Sequence, residues 1–151
     1  MSRLTVNKTY KLYIGGKFPR TESGRYYELK GKKGNLLANV SHGSRKDFRN
    51  AVVAARKSFR GWWEANAYLR GQILYRIAEI LEGRAEQFED ELRAQGSTPA
   101  AARKEVLKAI DLFVHYAGWS DKFQALFSSV NPVASPHFNF SVPEPTGVVA
   151  A

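Results

Sequence analysis

Four carboxylates crowd six residues of this chain, Glu86, Glu89, Asp90 and Glu91, and a histidine, His115, stands among apolar residues further on. Acidic clusters can hold hard cations or move protons, and an imidazole can serve as base or ligand, so chemistry is sought here first. Spacing argues against it in both places. The carboxylates fall at helix-surface intervals with no histidine beside them; they suit the positive end of a helix dipole and read as a solvated face. His115 lies between Val114 and Tyr116, has no second histidine at metal-binding spacing, and reads as a hydrogen-bonded structural residue. The pair Trp62-Trp63 offers a stacking platform for bases, but a paired tryptophan more commonly fills a core with one ring and covers a helix end with the other.

The motifs that announce catalysis are missing. The sequence holds no G-x-G-x-x-G, no G-x-x-x-x-G-K-[ST], no H-E-x-x-H and no G-x-S-x-G. Its 151 residues include no cysteine, which removes disulfides, thiolate metal sites and a cysteine nucleophile. No catalytic, cofactor-binding or metal-ligating residue is therefore assigned. With 44% apolar and 13% aromatic residues the chain has the means to bury a core of single-domain size. No apolar run reaches the ~20 residues of a membrane span, and the start lacks the continuous apolar stretch of a secretory signal, so the reading is a soluble, cytoplasmic protein without a membrane partner.

Charge divides the chain. Residues 1 to 60 hold 15 Lys/Arg against 3 Asp/Glu, and residues 61 to 151 hold 8 against 11, within a net charge of +9. A basic half suits a polyanion such as nucleic acid. No helix-turn-helix, RRM or KH pattern accompanies it, so a solvated face, or one meeting an acidic surface, is the preferred reading.

Three blocks of elements would position these residues. Over 1–42 short strands alternate with turns: Tyr10–Ile14 alternates in the strand period, Gly15-Gly16 turns it into a hairpin, and Tyr26–Leu29 and Leu36–Val40 follow, separated by a turn at Lys30–Gly34. Over 44–127 the pattern is helical. Ser44 with Asp47 is close to a capping box, Phe48, Val52, Ala55 and Phe59 form a stripe, and Gly61 is the expected stop. A second helix takes Tyr68–Leu81 with Leu69, Ile73, Ile77 and Ile80/Leu81 inward, and a third takes Arg84–Gln95. Gly96 ends it, and Thr98-Pro99 caps a long helix to about Leu126, with Val106, Ile110, Phe113 and Ala117 on one stripe and Leu107 and Val114 widening it. After a loop over Ser128–Pro136, residues 137–151 carry strand character, with Phe138, Phe140 and Val142 alternating. The apolar run after Gly147 reads as the opening of a buried strand.

This order of pieces, "LYIGGKF", "AVVAARKSFRGW", "IAEILE", "HYAGWSDK" and "PEPTGVVA", resembles the aldehyde dehydrogenase superfamily from about Tyr10 to Ala151. The resemblance implies an α/β fold of which this chain is a single truncated N-terminal segment: short strands, about four helices, then a strand leading into a missing Rossmann-type sheet. It also implies an NAD(P)-dependent oxidoreductase acting on aldehydes, whose cysteine nucleophile, oxyanion-holding asparagine, glutamate base and glycine-rich cofactor turn match no position here. NAD or NADP and the aldehyde are thus expected only for a full-length relative, and this chain alone is expected to be inactive. Pro143, where family members often carry a polar residue, points to a divergent branch. The resemblance further implies that the Phe138, Phe140 and Val142 strand belongs to an oligomerisation region, with self-association or a full-length relative as partner. Two other functions remain beside this one: an interaction module docking on full-length relatives through edge strands, and a basic nucleic-acid binder.

Overall fold

The computed structural model describes residues 8–31 and 34–150. A three-stranded sheet opens the chain, with β1 (Thr9–Tyr10) parallel to β3 (Leu36–Ser41) and β2 (Tyr26–Lys30) antiparallel to it, so that β3 is central. Gly15 and Gly16 take φ values of 59° and 76°, the two left-handed residues of a type I′ turn, and Ile14 and Lys17 exchange backbone hydrogen bonds of 3.0 and 3.1 Å across it. The turn is as expected, but the expected strand Tyr10–Ile14 is not continuous. Tyr10 pairs with Val40 instead, and past it the chain leaves β3 to fold back on itself. The tip of this turn rests on the first helix, with Ala54 Cβ 3.5 Å from the position a Gly15 Cβ would take.

Ser44 and Asp47 form a full capping box at the start of α1 (Arg45–Glu64). This helix does not stop at Gly61. One interior glycine costs only about 1 kcal/mol, and beyond it the Arg60–Glu64 ion pair at 2.7 Å and the Arg70 guanidinium, which donates to the carbonyls of Trp63 (3.1 Å) and Ala65 (2.6 Å), support the last turn. Trp62 and Trp63 are therefore helical and exposed. Trp63 stacks on Phe59 with centroids 6.0 Å apart, and neither ring fills a core. Phe48, expected inward, is 67% exposed.

Asn66 caps α2 (Ala67–Glu82), which is followed by α3 (Ala85–Ala94) and α4 (Pro99–Trp119). Gly96, at φ 106°, closes α3 in a Schellman arrangement, with Ser97 N–H on Leu92 O and Gly96 N–H on Arg93 O, both 3.0 Å. Thr98 caps α4 and Pro99 occupies its first position, as the sequence indicates. The expected helix to Leu126 is broken at Ser120–Lys122 before a short α5 (Phe123–Phe127). There the Ser120 hydroxyl takes the Tyr116 carbonyl (3.1 Å) and the Lys122 ammonium takes that of Gly118, so side chains replace the helical amide donors.

α4 packs against α2 and α3. The inward face of α2 is carried by Gly71, Leu74, Ala78 and Leu81, rotated from the expected stripe; Ile77 is half-buried, while Leu69, Ile73 and Ile80 face outward. On α4 the expected stripe holds, with Val106 buried and Ile110, Phe113 and Ala117 half-buried, but Leu107 and Val114 are exposed rather than widening it. The core is thus made mainly of small side chains, Ala38, Ala78, Ala102 and Val106.

Within the stretch expected to be a loop, β4 (Ser129–Val130) pairs antiparallel with β5 (Phe140–Ser141). Only these two residues of the expected Phe138–Val142 strand are in register, and residues 143–150 form no strand. A strand of a parallel sheet is held by neighbours on both edges, and Val148 and Val149 here are exposed.

Candidate functional site

Three places gather polar or apolar side chains with some definition. The first lies where the sheet meets α1. Asp47 is 6% exposed, and its carboxylate accepts hydrogen bonds from the Thr21 hydroxyl (2.6 Å), Ser44 N–H (2.8 Å) and Glu22 N–H (3.3 Å). The Thr21 hydroxyl also lies 3.1 Å from the His42 carbonyl. These donors, Thr21 foremost and then the Ser44 amide, outweigh the cost of burial and lower the Asp47 pKa to about 2. A carboxylate locked in its charged form by three donors is a poor proton shuttle. It is an anchor that ties the loop after the turn, the end of β3 and the start of α1 together.

The second is a groove of about 570 Å³ between the beginning of α2 and the end of α4. At its floor the two helices come close, and a Cβ at Gly71 would sit 3.0 Å from the Ala117 carbonyl oxygen. Tyr68, Tyr75 and Val114 rise around it, and ion pairs at Arg76–Glu79 (2.8 Å) and Asp121–Lys122 (3.4 Å) lie at its rim. Nothing in the sequence analysis singled this groove out. The available signal was the pair of small residues Gly71 and Ala78, seven apart on one helix face, with Gly71 against Ala117 on another helix.

The third is the β4–β5 ribbon. Asn131 and Asn139 hold it on one side, through Asn131 N–H on Asn139 O (2.8 Å) and their side-chain amides (3.2 Å). Phe138, Phe140 and Val142 are all exposed with Val130, and the two phenyl rings pack 5.4 Å apart.

The remaining candidates stay apart. His115 is exposed and meets Tyr116 and Trp119 by ring contact, at 5.2 and 6.2 Å, rather than the hydrogen bond expected of it. Of the acidic residues of α3, Asp90 pairs with Arg93 at 3.0 Å, and among the described residues no three His, Cys, Asp or Glu side chains converge as a metal would need. The groove's glycines, Gly71 and Gly118, lie inside α2 and α4 rather than in a glycine-rich turn. Among the described residues no helix is long and apolar enough to cross a membrane.

The architecture is a small sheet followed by a helical layer and a terminal ribbon, the α/β class. The sequence profile described as the aldehyde dehydrogenase family matches residues 18–151, and the chain belongs to that family. It is 32% identical over 155 residues to the cytosolic 10-formyltetrahydrofolate dehydrogenase of Mus musculus, covering 98% of this chain and 17% of that enzyme. It is 33% identical to the mitochondrial benzaldehyde dehydrogenase of Antirrhinum majus, covering 91% of this chain and 26% of that enzyme. Among solved structures, PnpE in complex with nicotinamide adenine dinucleotide superposes with a TM-score of 0.81 at 25% identity, over 87% of this chain and 27% of PnpE. An NAD-dependent benzaldehyde dehydrogenase from Corynebacterium glutamicum does so with 0.77 at 26% identity, over 84% and 28%. The chain therefore spans between about a sixth and a little over a quarter of these relatives.

Proposed function

We propose that residues 1–151 act as one N-terminal segment of an NAD(P)-dependent aldehyde oxidoreductase and turn over no aldehyde by themselves. The observation that carries the reading is the family match over residues 18–151 in a chain without cysteine. Thiolate attack on an aldehyde, hydride transfer to the nicotinamide and hydrolysis of the thioester need a nucleophile and a cofactor turn that these residues lack. Purified protein incubated with NAD⁺ or NADP⁺ and a panel of aldehydes should give no rise in reduced-nicotinamide absorbance; turnover that survives repurification overturns the reading.

The β4–β5 ribbon carries the second part of the proposal. Phe138, Phe140 and Val142 form an oligomerisation edge, which their exposure and the short, unextended ladder support. Net charge opposes association at low salt, and Pro143 and Pro145 limit how far a ladder can grow. Screening removes the first obstacle, since the Debye length falls from about 30 Å at 0.01 M salt to about 8 Å at 0.15 M. Light scattering should show a monomer at low salt that associates as salt rises, with Phe140→Lys restoring the monomer. A wild-type monomer at physiological salt and high concentration refutes this part.

A further inference from the structure

Of the twenty residues of α1 only Asp47 is buried, and six are Lys or Arg. Arg45, Arg49, Arg56 and Arg60 recur at i, i+4, i+11 and i+15, which sets them within about 60° of one another around the helix and along about 22 Å of its length. Lys46 and Lys57 run beside this row, and all six side chains are exposed. Asp47 and Ala54, which tie the helix to Thr21 and to the turn at Gly15, lie on its opposite side. The row therefore faces away from the sheet.

Most of its charge is unpaired. Further along the chain Arg60, Arg70, Arg76, Arg84 and Arg93 each donate to a carboxylate, a side-chain amide or a backbone carbonyl. Arg45, Arg49, Arg56 and Lys57 have neither an ion pair nor a side-chain hydrogen bond among the described residues. The one acid on this side of α1, Glu64, sits at its far end and is held by Arg60 at 2.7 Å. The other exposed basic group, Arg103, Lys104 and Lys108 on α4, differs in having Asp111 among its members.

We infer that this row is a binding surface for the phosphates of a nucleic-acid duplex, with α1 seated in the major groove of B-form DNA. Charge selects an anion, since an uncharged neighbour would leave the guanidinium groups without counter-charge. Residue type selects phosphate: four of the six cations are arginine, whose planar fork places two parallel hydrogen bonds on phosphate oxygens. Shape selects a duplex. A helix is about 10–12 Å across and the major groove about 12 Å wide, whereas single strands are held in a channel of the protein's own. A duplex presents one negative charge per about 1.7 Å of axis, so the row meets more phosphates than it has cations. Contacts to phosphate carry no sequence information, and the binding is independent of sequence.

The test is fluorescence anisotropy of a labelled duplex of about 20 base pairs, titrated with the full 151-residue chain between about 50 and 200 mM salt. Four phosphate contacts, from Arg45, Arg49, Arg56 and Lys57, give a slope of log affinity on log salt of about −3.6, a loss of roughly a hundredfold over that range. Arg49→Gln with Arg56→Gln should halve the slope to about −1.8 and weaken binding at least tenfold at about 50 mM salt. Both side chains are exposed, so circular dichroism of this variant should match wild type. Lys104→Gln with Lys108→Gln removes the same two charges from α4 and should change neither slope nor affinity, which separates the row from net charge. No binding at low salt, binding that the α1 variant leaves intact, or equal weakening by the two variants overturns the inference. Tighter binding to phosphatidylserine vesicles than to the duplex overturns it as well, and assigns the row to a membrane surface. None of these readouts involves aldehyde chemistry, so the family reading stands or falls separately.

Discussion

The sheet–α1 half and the α2–α4 half of this molecule are held together by opposite means. In the first, a single carboxylate, Asp47, collects the Thr21 hydroxyl and the Ser44 and Glu22 amides, and the elements around it are oriented by hydrogen bonds with strict geometry. In the second, α2 and α4 meet closely at Gly71 and Ala117, with the small side chains of Ala78 and Ala102 buried, and backbone approach replaces directional bonding. Hydrogen bonds set angles but remove little apolar area from water, and small side chains allow contact but have little area to remove. Both halves are therefore well oriented and poorly buried.

The largest effect that separates the halves should come from placing a charge in the helical contact. Ala102 is 0% exposed, and Ala102→Asp would bury a carboxylate with no partner, a change at the top of the single-substitution range, about 4 kcal/mol or more. Cooperative thermal unfolding followed by circular dichroism at 222 nm should disappear. A transition within a few degrees of wild type would mean that the surroundings of Ala102 open readily to admit water.

The polar half should instead reveal itself by pH. The folded pKa of Asp47, about 2, lies below the ordinary carboxylate value of 3.8. The sign follows: its stabilisation is fully present above about pH 4 and is lost as pH falls through about 2. Asp47→Asn should lower the melting temperature at pH 7 and flatten the acid limb between pH 4 and 2. An unchanged acid limb in the variant would show that other groups govern it. Thr21→Val, which removes the shortest of these bonds, should act in the same direction and less strongly.

A smaller effect probes the helix crossing itself. Gly71→Ala gains about 1 kcal/mol of helix propensity but sets a methyl 3.0 Å from the Ala117 carbonyl oxygen, and overpacking of this kind costs about 1–3 kcal/mol. A net loss of up to about 2 kcal/mol is expected in urea unfolding. A net gain would mean that α4 yields freely, and that the contact is looser than its geometry implies.

The smallest concerns the type I′ turn. Gly16 has φ 76° and no atom within 4 Å of its would-be Cβ, so Gly16→Ala carries only the backbone cost of a left-handed residue, about 1–2 kcal/mol. Gly16→Asn should cost less, because asparagine tolerates that region. Equal losses for the two would point to a contact rather than to φ.

What the sequence determined alone is local. The Ser44–Asp47 capping box, the Gly15-Gly16 turn, the Gly96 stop and the Thr98-Pro99 start were all legible because each is decided within five residues by φ preference or by a side chain bonding its own backbone. The family, too, was legible, in the order of short segments, and the profile match over residues 18–151 agrees with it. Tertiary structure decided the rest. Which face of α2 turns inward depended on Gly71 and Ala78 allowing α4 to approach, a preference for small residues that a hydrophobic stripe at Leu69, Ile73 and Ile80 conceals. That Gly61 fails to stop α1 depended on Arg70, nine residues away, reaching its last carbonyls. The role of Asp47 beyond its own helix depended on Thr21, 26 residues earlier. Such pairings are set by the distance between elements in space, and no periodicity in the chain encodes that distance.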